Sequence, residues 1–146
     1  MIIQDEFQVD GSVDHVWSVL KDIPRVAACI PGAEITEVVG PKTYRAKVGL
    51  KVGPVSVTYN ATILVDELDE AVHRAKFSIN GDEIRGRGGV RSTVTSQVLG
   101  DGAKSRVTLH ADAKISGVIA SVGGRLIEGV AKKSIAAFAE NLSKIL

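Results

Sequence analysis

The chain predicts an α+β fold in which one antiparallel sheet is covered by a long carboxy-terminal helix. Three observations predict it. From residue 33 to residue 115 the apolar residues recur every second position and are broken by Gly-Pro, Asn-Gly and Gly-Asp-Gly turn signals. The stretch 118–146 has no proline, and Ile119, Val122, Leu126, Ile127, Val130, Phe138, Leu142 and Ile145 follow helical spacing. Ahead of the strands stand two short helix signatures. A length of 146 residues suits a single domain, 1–146, with one core.

Each element has its own local reason. Residues 2–9 alternate weakly and predict a first strand. Ser12 is placed to cap a helix whose apolar face is Val13, Val16, Trp17 and Leu20, with Asp14 in the first turn complementing the dipole. Asp22 and Pro24 read as the cap and first turn of a second short helix, which Pro31-Gly32 must end. Six strands follow. Ile35 and Val38 mark the first of them, then Tyr44, Ala46, Val48 and Leu50. Val55, Val57, Tyr59, Ala61, Ile63 and Val65 give the clearest alternation in the chain. Ala75, Phe77 and Ile79 mark the fourth, residues 84–99 the fifth, and Val107 to Ile115 the last. The terminal helix is expected from residue 118, roughly 40 Å long, with Ser116 as its N-cap. Glu128/Lys132 and Glu140/Lys144 would support it as i,i+4 pairs. Gly117, Gly123, Gly124 and Gly129 weaken its first third, which suggests close packing or room left beneath it.

Composition excludes several function classes. A hydrophobic content of 45% with 24% charged residues is that of a folded soluble domain. The formal charge of +1 supplies no general attraction to nucleic acid. No apolar run reaches the roughly 18 residues of a membrane span, and Gln4-Asp5-Glu6 follows Met1 too soon for a signal peptide. A cytoplasmic location is the expectation. The lone Cys29 rules out an internal disulfide. Aromatic residues make up only 4%, so a sheet lined by valine, alanine, isoleucine and leucine is expected to leave space unfilled.

Chemistry-bearing motifs are few. His15, His73 and His110 lie far apart in sequence, without metal-helix spacing, and the last two are assigned to the outer faces of strands. Cys29 has no sequence neighbour to act as a base, so a buried or mouth-lining thiol is the favoured reading. Asp66 to Glu70 reads as a solvated acidic turn. Gly86-Arg87-Gly88-Gly89 resembles a phosphate loop only superficially, and a bulge or the close approach of another backbone accounts for it better. Arg85, Arg87 and Arg91 are expected on a solvated strand face, beside Arg45 and Lys47 if those strands are neighbours. A docking surface for an acidic partner or anionic lipid is the alternative.

Val16-Trp17, Cys29-Ile30-Pro31-Gly32-Ala33, Lys51-Val52-Gly53-Pro54-Val55, Gly86-Arg87-Gly88-Gly89, Ser116-Gly117-Val118 and Gly123-Gly124-Arg125-Leu126-Ile127 occur in an order that spans essentially the whole chain. In this the sequence resembles the carbon monoxide dehydrogenase G-subunit (CoxG) family, within the START-like (SRPBCC) helix-grip superfamily. The resemblance implies a curved seven-stranded antiparallel sheet wrapped around the terminal helix. Members often carry an extension beyond that helix implicated in membrane attachment. This sequence stops at Leu146, and Ala137-Phe138 replaces the double phenylalanine common there.

With no catalytic constellation in view, the interior is the candidate site. The expectation is an apolar pocket between the sheet and the first half of the long helix, lined by Trp17, Ile30, Val48, Val57, Tyr59, Val90, Val94, Ile119, Gly123 and Ile127. Cys29, Ile30 and Pro31 would form its entrance, and the Tyr59 hydroxyl would orient a ligand. A closed core made of the same residues is the plain alternative. The resemblance implies a non-catalytic accessory protein without a cofactor or metal. It would bind a quinone or lipid and serve a molybdenum-containing carbon monoxide dehydrogenase or related hydroxylase, with peripheral contact at the inner face of the membrane. Two other readings stand beside it. One is a cyclase/dehydrase-type enzyme using the same cavity, and the other is an interaction module with a solid interior.

Overall fold

A computed structural model describes Met1–Leu146. Strand β1 (Ile2–Asp10) leads into helices α1 (Val13–Leu20) and α2 (Ile23–Cys29). Strands β2 (Ala33–Gly40), β3 (Thr43–Val52), β4 (Val55–Asp69), β5 (Arg74–Glu83), β6 (Gly89–Asp101) and β7 (Lys104–Ile115) follow. A single 3-10 turn, Ala120–Val122, precedes helix α3 (Gly124–Ser143). The two short helices start where their caps predict. Ser12 Oγ accepts from the His15 amide at 3.2 Å and Asp22 Oδ1 from the Arg25 amide at 3.4 Å.

The seven strands form one antiparallel sheet in the order β1-β7-β6-β5-β4-β3-β2. From β2 to β7 the sheet is a meander, because each connection is a tight turn. Strand β1 joins the far edge beside β7, so α1 and α2 carry the chain from one edge of the sheet to the other. The period-two reading holds at side-chain level: Val57, Tyr59, Ala61 and Val65 are buried, whereas Ser56, Asn60 and Asp66, at even positions, are exposed. Bulges in β2 and between β4 and β5 add twist as the sheet curves around α3.

Three expectations are corrected. Helix α3 begins at Gly124, not residue 118, because Gly123 has φ 94° and ψ 150°, which no α-helix contains. Ser116 therefore caps nothing. Its hydroxyl accepts from the Gly89 amide at 3.0 Å instead. The strand expected over 84–99 begins at Gly89, because Gly88 turns the chain with φ 128°. This glycine-rich turn crosses the Ser116-Gly117 backbone at close range. A Cβ on Gly117 would lie 1.9 Å from the Arg87 carbonyl oxygen, and the Val118 amide donates to that oxygen at 3.0 Å. Close approach of another backbone is thus the reason for Gly88 and Gly89, whereas Gly86 serves the turn through its φ of 74°.

The basic strand face is not assembled. Strands β4 and β5 separate Arg45 and Lys47 on β3 from Arg91 on β6, and Arg91 pairs with Asp82 at 3.1 Å. Arg87 turns back onto the buried carboxylate of Glu83, with Nε 3.1 Å from Oε1. Glu83 also accepts from the amides of Arg85, Arg87 and Thr58. The Arg87 side chain, outweighing burial and helped by these amides, holds the Glu83 carboxyl down to about 2. On α3, Glu140 meets Lys144 at 3.9 Å, whereas Lys132 leaves Glu128 and donates to the Gln4 carbonyl at 2.9 Å.

Two apolar clusters fill the space between sheet and helices. The first gathers Val9, Val16, Trp17, Val19, Cys29, Ala75, Val98, Val107, Phe138 and Leu142 around α1 and the end of α3. The second joins Val52, Val57, Tyr59 and Ile119, with Val90, Val122, Ile127 and Val130 packed against it.

Two outcomes follow from the crossing and the buried carboxylate. Gly117→Ala must clash as well as adopt a left-handed backbone, so urea denaturation should show a loss of about 3 kcal/mol. Gly86→Ala has φ 74° but nothing within 4 Å of the new Cβ, and should lose only about 1 kcal/mol. Because the Glu83 pKa is lowered from 4.5, the stability it contributes is complete above that value and is lost as the pH falls toward about 2. Glu83→Gln should unfold at lower urea than the parent at pH 7, and the gap between them should narrow as the pH falls from 4.5 to 2.

Candidate ligand cavity

Beside the first cluster lies a cavity of about 260 Å³, and four members of that cluster, Trp17, Ala75, Val98 and Phe138, help to line it. Helices α1 and α2 supply one wall through Trp17, Leu20, Ile23, Val26, Ala27 and Ile30. The sheet supplies Ile63, Ala75, Phe77, Ile79, Val94, Ser96, Val98 and Leu109, and α3 supplies Ser134, Ile135 and Phe138. Fifteen of these 17 residues are hydrophobic. Ser96 and Ser134 carry the remaining two side chains. No charged residue lines the space.

The cavity exists because α3 is gripped at both ends. Ile127 and Val130 near its start pack on the second cluster, and Phe138 and Leu142 near its end belong to the first. Ser134 and Ile135 between these grips face the open volume. On the sheet below them, Ala75, Val94 and Ser96 are too short to fill the span.

The residues expected to line a pocket separate into groups. Trp17, Ile30 and Val94 line the cavity. Val57, Tyr59 and Ile119 are buried in the second cluster, with Val90 and Ile127 packed against it. There the 3-10 turn, set apart from α3 by Gly123, buries Ile119 to 2% exposure beneath the first helical turns. The space therefore lies under the middle and later turns of α3, not under its first half. Val48 is half-buried, and Pro31 and Gly123 are exposed. Ile30, at the end of α2, is 38% exposed while it lines the cavity, so the interior reaches solvent beside it. Cys29 is buried and its thiol donates to the Arg25 carbonyl at 3.5 Å. Burial, against a smaller pull from Arg25, raises its pKa and keeps it protonated at neutral pH. Tyr59 is raised too, by burial first and then by Glu83, with Arg87 opposing. Asn141 Nδ2 donates to the Cys29 carbonyl at 3.0 Å and ties α3 to the end of α2.

Sequence reasoning misses most of the lining. Leu20, Ile23 and Val26 come from the two short helices, and the sequence marks α2 by its caps alone. Phe77, Ile79, Leu109 and Phe138 carry only the signal that any core residue carries. The serines show themselves only as polar residues on apolar faces: Ser96 shares a strand face with Val94 and Val98.

Several titratable groups gather around Trp17 without joining the cavity lining. The Trp17 indole N–H donates to Glu70, and Lys21 Nζ reaches the other Glu70 oxygen at 3.1 Å. These two donors, Trp17 first, lower the Glu70 pKa. His73 is not on a strand face. It sits in the β4–β5 turn with φ 53°, edge-on to Trp17 at 5.6 Å and 3.3 Å from Asp14. This cluster orients the tryptophan and offers the cavity no acid or base. No group of three His, Cys, Asp or Glu side chains converges anywhere as a metal site would require.

An antiparallel sheet curved around a terminal helix, with two short helices after the first strand and an apolar interior, defines the START-like class. The chain belongs to the carbon monoxide dehydrogenase G-subunit (CoxG) family, whose model matches residues 6–146. Among solved structures, a conserved protein from Geobacillus kaustophilus is 26% identical, with TM-score 0.87 over 99% of this chain and 93% of that one. A START superfamily protein from Mycobacterium smegmatis shares 14% identity at TM-score 0.66, covering 98% and 94%. The Zhui aromatase/cyclase from Streptomyces sp. R1128 shares 16% at TM-score 0.67, covering 99% and 92%. The last two likenesses establish the fold. No curated protein sequence matches the chain. No helix is long and apolar enough to cross a membrane.

If Trp17 is the main donor holding Glu70 down, Trp17→Phe should raise the Glu70 carboxyl pKa toward its ordinary 4.5. Carboxyl-selective NMR titration of parent and variant reads this directly. An unchanged Glu70 titration would assign the shift to Lys21 instead.

Proposed function

We propose that this protein is a non-catalytic carrier of an apolar small molecule, a quinone or lipid, held in the cavity under α3. One observation carries the reading: a volume of about 260 Å³ walled by hydrophobic side chains and free of titratable groups. Such a space binds by removing apolar ligand surface from water, about 25 cal/mol per Å². General acid–base catalysis needs a group within hydrogen-bond reach of the reacting atom. Glu70 and His73 touch Trp17 but are not among the residues lining the cavity. This favours binding over a cyclase/dehydrase-type reaction. Membership of the CoxG family supports service to a molybdenum-containing carbon monoxide dehydrogenase or related hydroxylase, through maturation, membrane recruitment or handling of its lipophilic electron acceptor. In this reading the protein acts in the cytoplasm, with peripheral contact at the inner face of the membrane during loading.

Native mass spectrometry of the protein purified from its own host, followed by lipid extraction, tests the carrier reading. The parent should carry an apolar molecule of a few hundred daltons. Val94→Phe, which adds a ring inside the cavity wall, should fold and carry none. A parent that is empty, or a Val94→Phe variant equally loaded, would overturn the proposal.

A further inference from the structure

The cavity's two polar side chains, Ser96 and Ser134, have no hydrogen-bond partner in the protein. Three other serines on the helical segments satisfy themselves: Ser18, Ser121 and Ser143 each donate to the carbonyl three residues back, at 2.6, 2.5 and 2.7 Å. Ser134, in the middle of α3, makes no such bond and faces the cavity. Ser96 on β6 is likewise without a partner among the protein's groups. Neither hydroxyl is sealed off, since the one fully buried unpartnered side-chain atom is Arg74 Nε. They stand on opposite walls, one on the sheet and one on the helix. A hydroxyl facing an apolar space without a partner forfeits a hydrogen bond that alanine would not need.

We infer that Ser96 and Ser134 are the specificity-determining pair of the cavity, which hydrogen-bonds the oxygen of a neutral ligand between sheet and helix. The inference rests on the carrier reading and deepens it. A hydroxyl both donates and accepts, so the pair suits a ketone or alcohol oxygen equally. No cation lines the walls, and a carboxylate or phosphate taken into them would be desolvated without compensation. The ligand class is therefore an uncharged hydrocarbon body bearing a carbonyl or hydroxyl. Free fatty acids and phospholipid headgroups are excluded from the interior. Tyr59, a polar handle suggested by the sequence, belongs to the second cluster and does not compete for this role.

Two probes with the same ring frame, 1-tetralone and tetralin, separate the oxygen from the hydrocarbon. Calorimetric titration of the parent should detect both. The double variant Ser96→Ala/Ser134→Ala should bind 1-tetralone about tenfold more weakly, each lost hydrogen bond contributing a few-fold. Its affinity for tetralin should stay within about twofold, which also shows that the variant is folded and its cavity intact. Unchanged 1-tetralone binding, or equal weakening of both probes, would overturn the hydroxyl pair while leaving the carrier reading standing. Failure of the parent to bind either probe would overturn both.

Discussion

Everything distinctive about this molecule depends on how α3 is held. A helix lying on a sheet normally sinks until side chains close the gap, because interiors pack to crystal-like density. Here the helix rests on two separated apolar clusters, one around Val52, Val57, Tyr59 and Ile119 and the other around Trp17, Phe138 and Leu142. Between them, Ser134 and Ile135 line the cavity. Along that stretch the sheet contributes Ala75, Val94 and Ser96 beside larger residues such as Phe77 and Leu109, and Trp17 and Phe138 of the first cluster also border the space. The void is a consequence of support at two points, and it persists because closing it would mean unpacking one of them.

Gly123 is central to that arrangement. By interrupting helical geometry it lets Ile119 turn inward with Val118 and Val122 half-buried beside it, so that Ile119 is among the most buried side chains in the protein. Apolar residues continue at helical spacing through this region, so a reading of the sequence runs the helix across it. Periodicity reports which residues face inward. It does not report a backbone break that leaves them facing inward by another route. The same limit explains the arginine turn. Residues 84–99 alternate like a strand, yet the crossing with Ser116-Gly117 forces a reversal before Gly89.

What is legible in the sequence follows from local physics. The caps at Ser12 and Asp22, the alternation of β3, β4, β5 and β7, and the need for one helix to cover one sheet are all written in short stretches. The curving of that sheet around the helix comes from resemblance. The site is legible in kind and less so in place: Trp17, Ile30 and Val94 can be picked out, whereas the α2 residues and both serines cannot. Which apolar residues surround a space and which fill it depends on distances between elements remote in sequence. Composition alone anticipates that the core is underfilled. The interior is nonetheless polar at two points, and the ion pair of buried Glu83 with half-buried Arg87 lies at the β5–β6 turn, where it fastens backbone.

The single tryptophan of the chain is itself part of the cavity wall. Its indole N–H is fixed on Glu70 outside, while its ring lines the space within. A fluorophore so placed changes surroundings when the hollow fills or empties. The protein thus carries an intrinsic optical gauge of its own occupancy, one that requires no attached label.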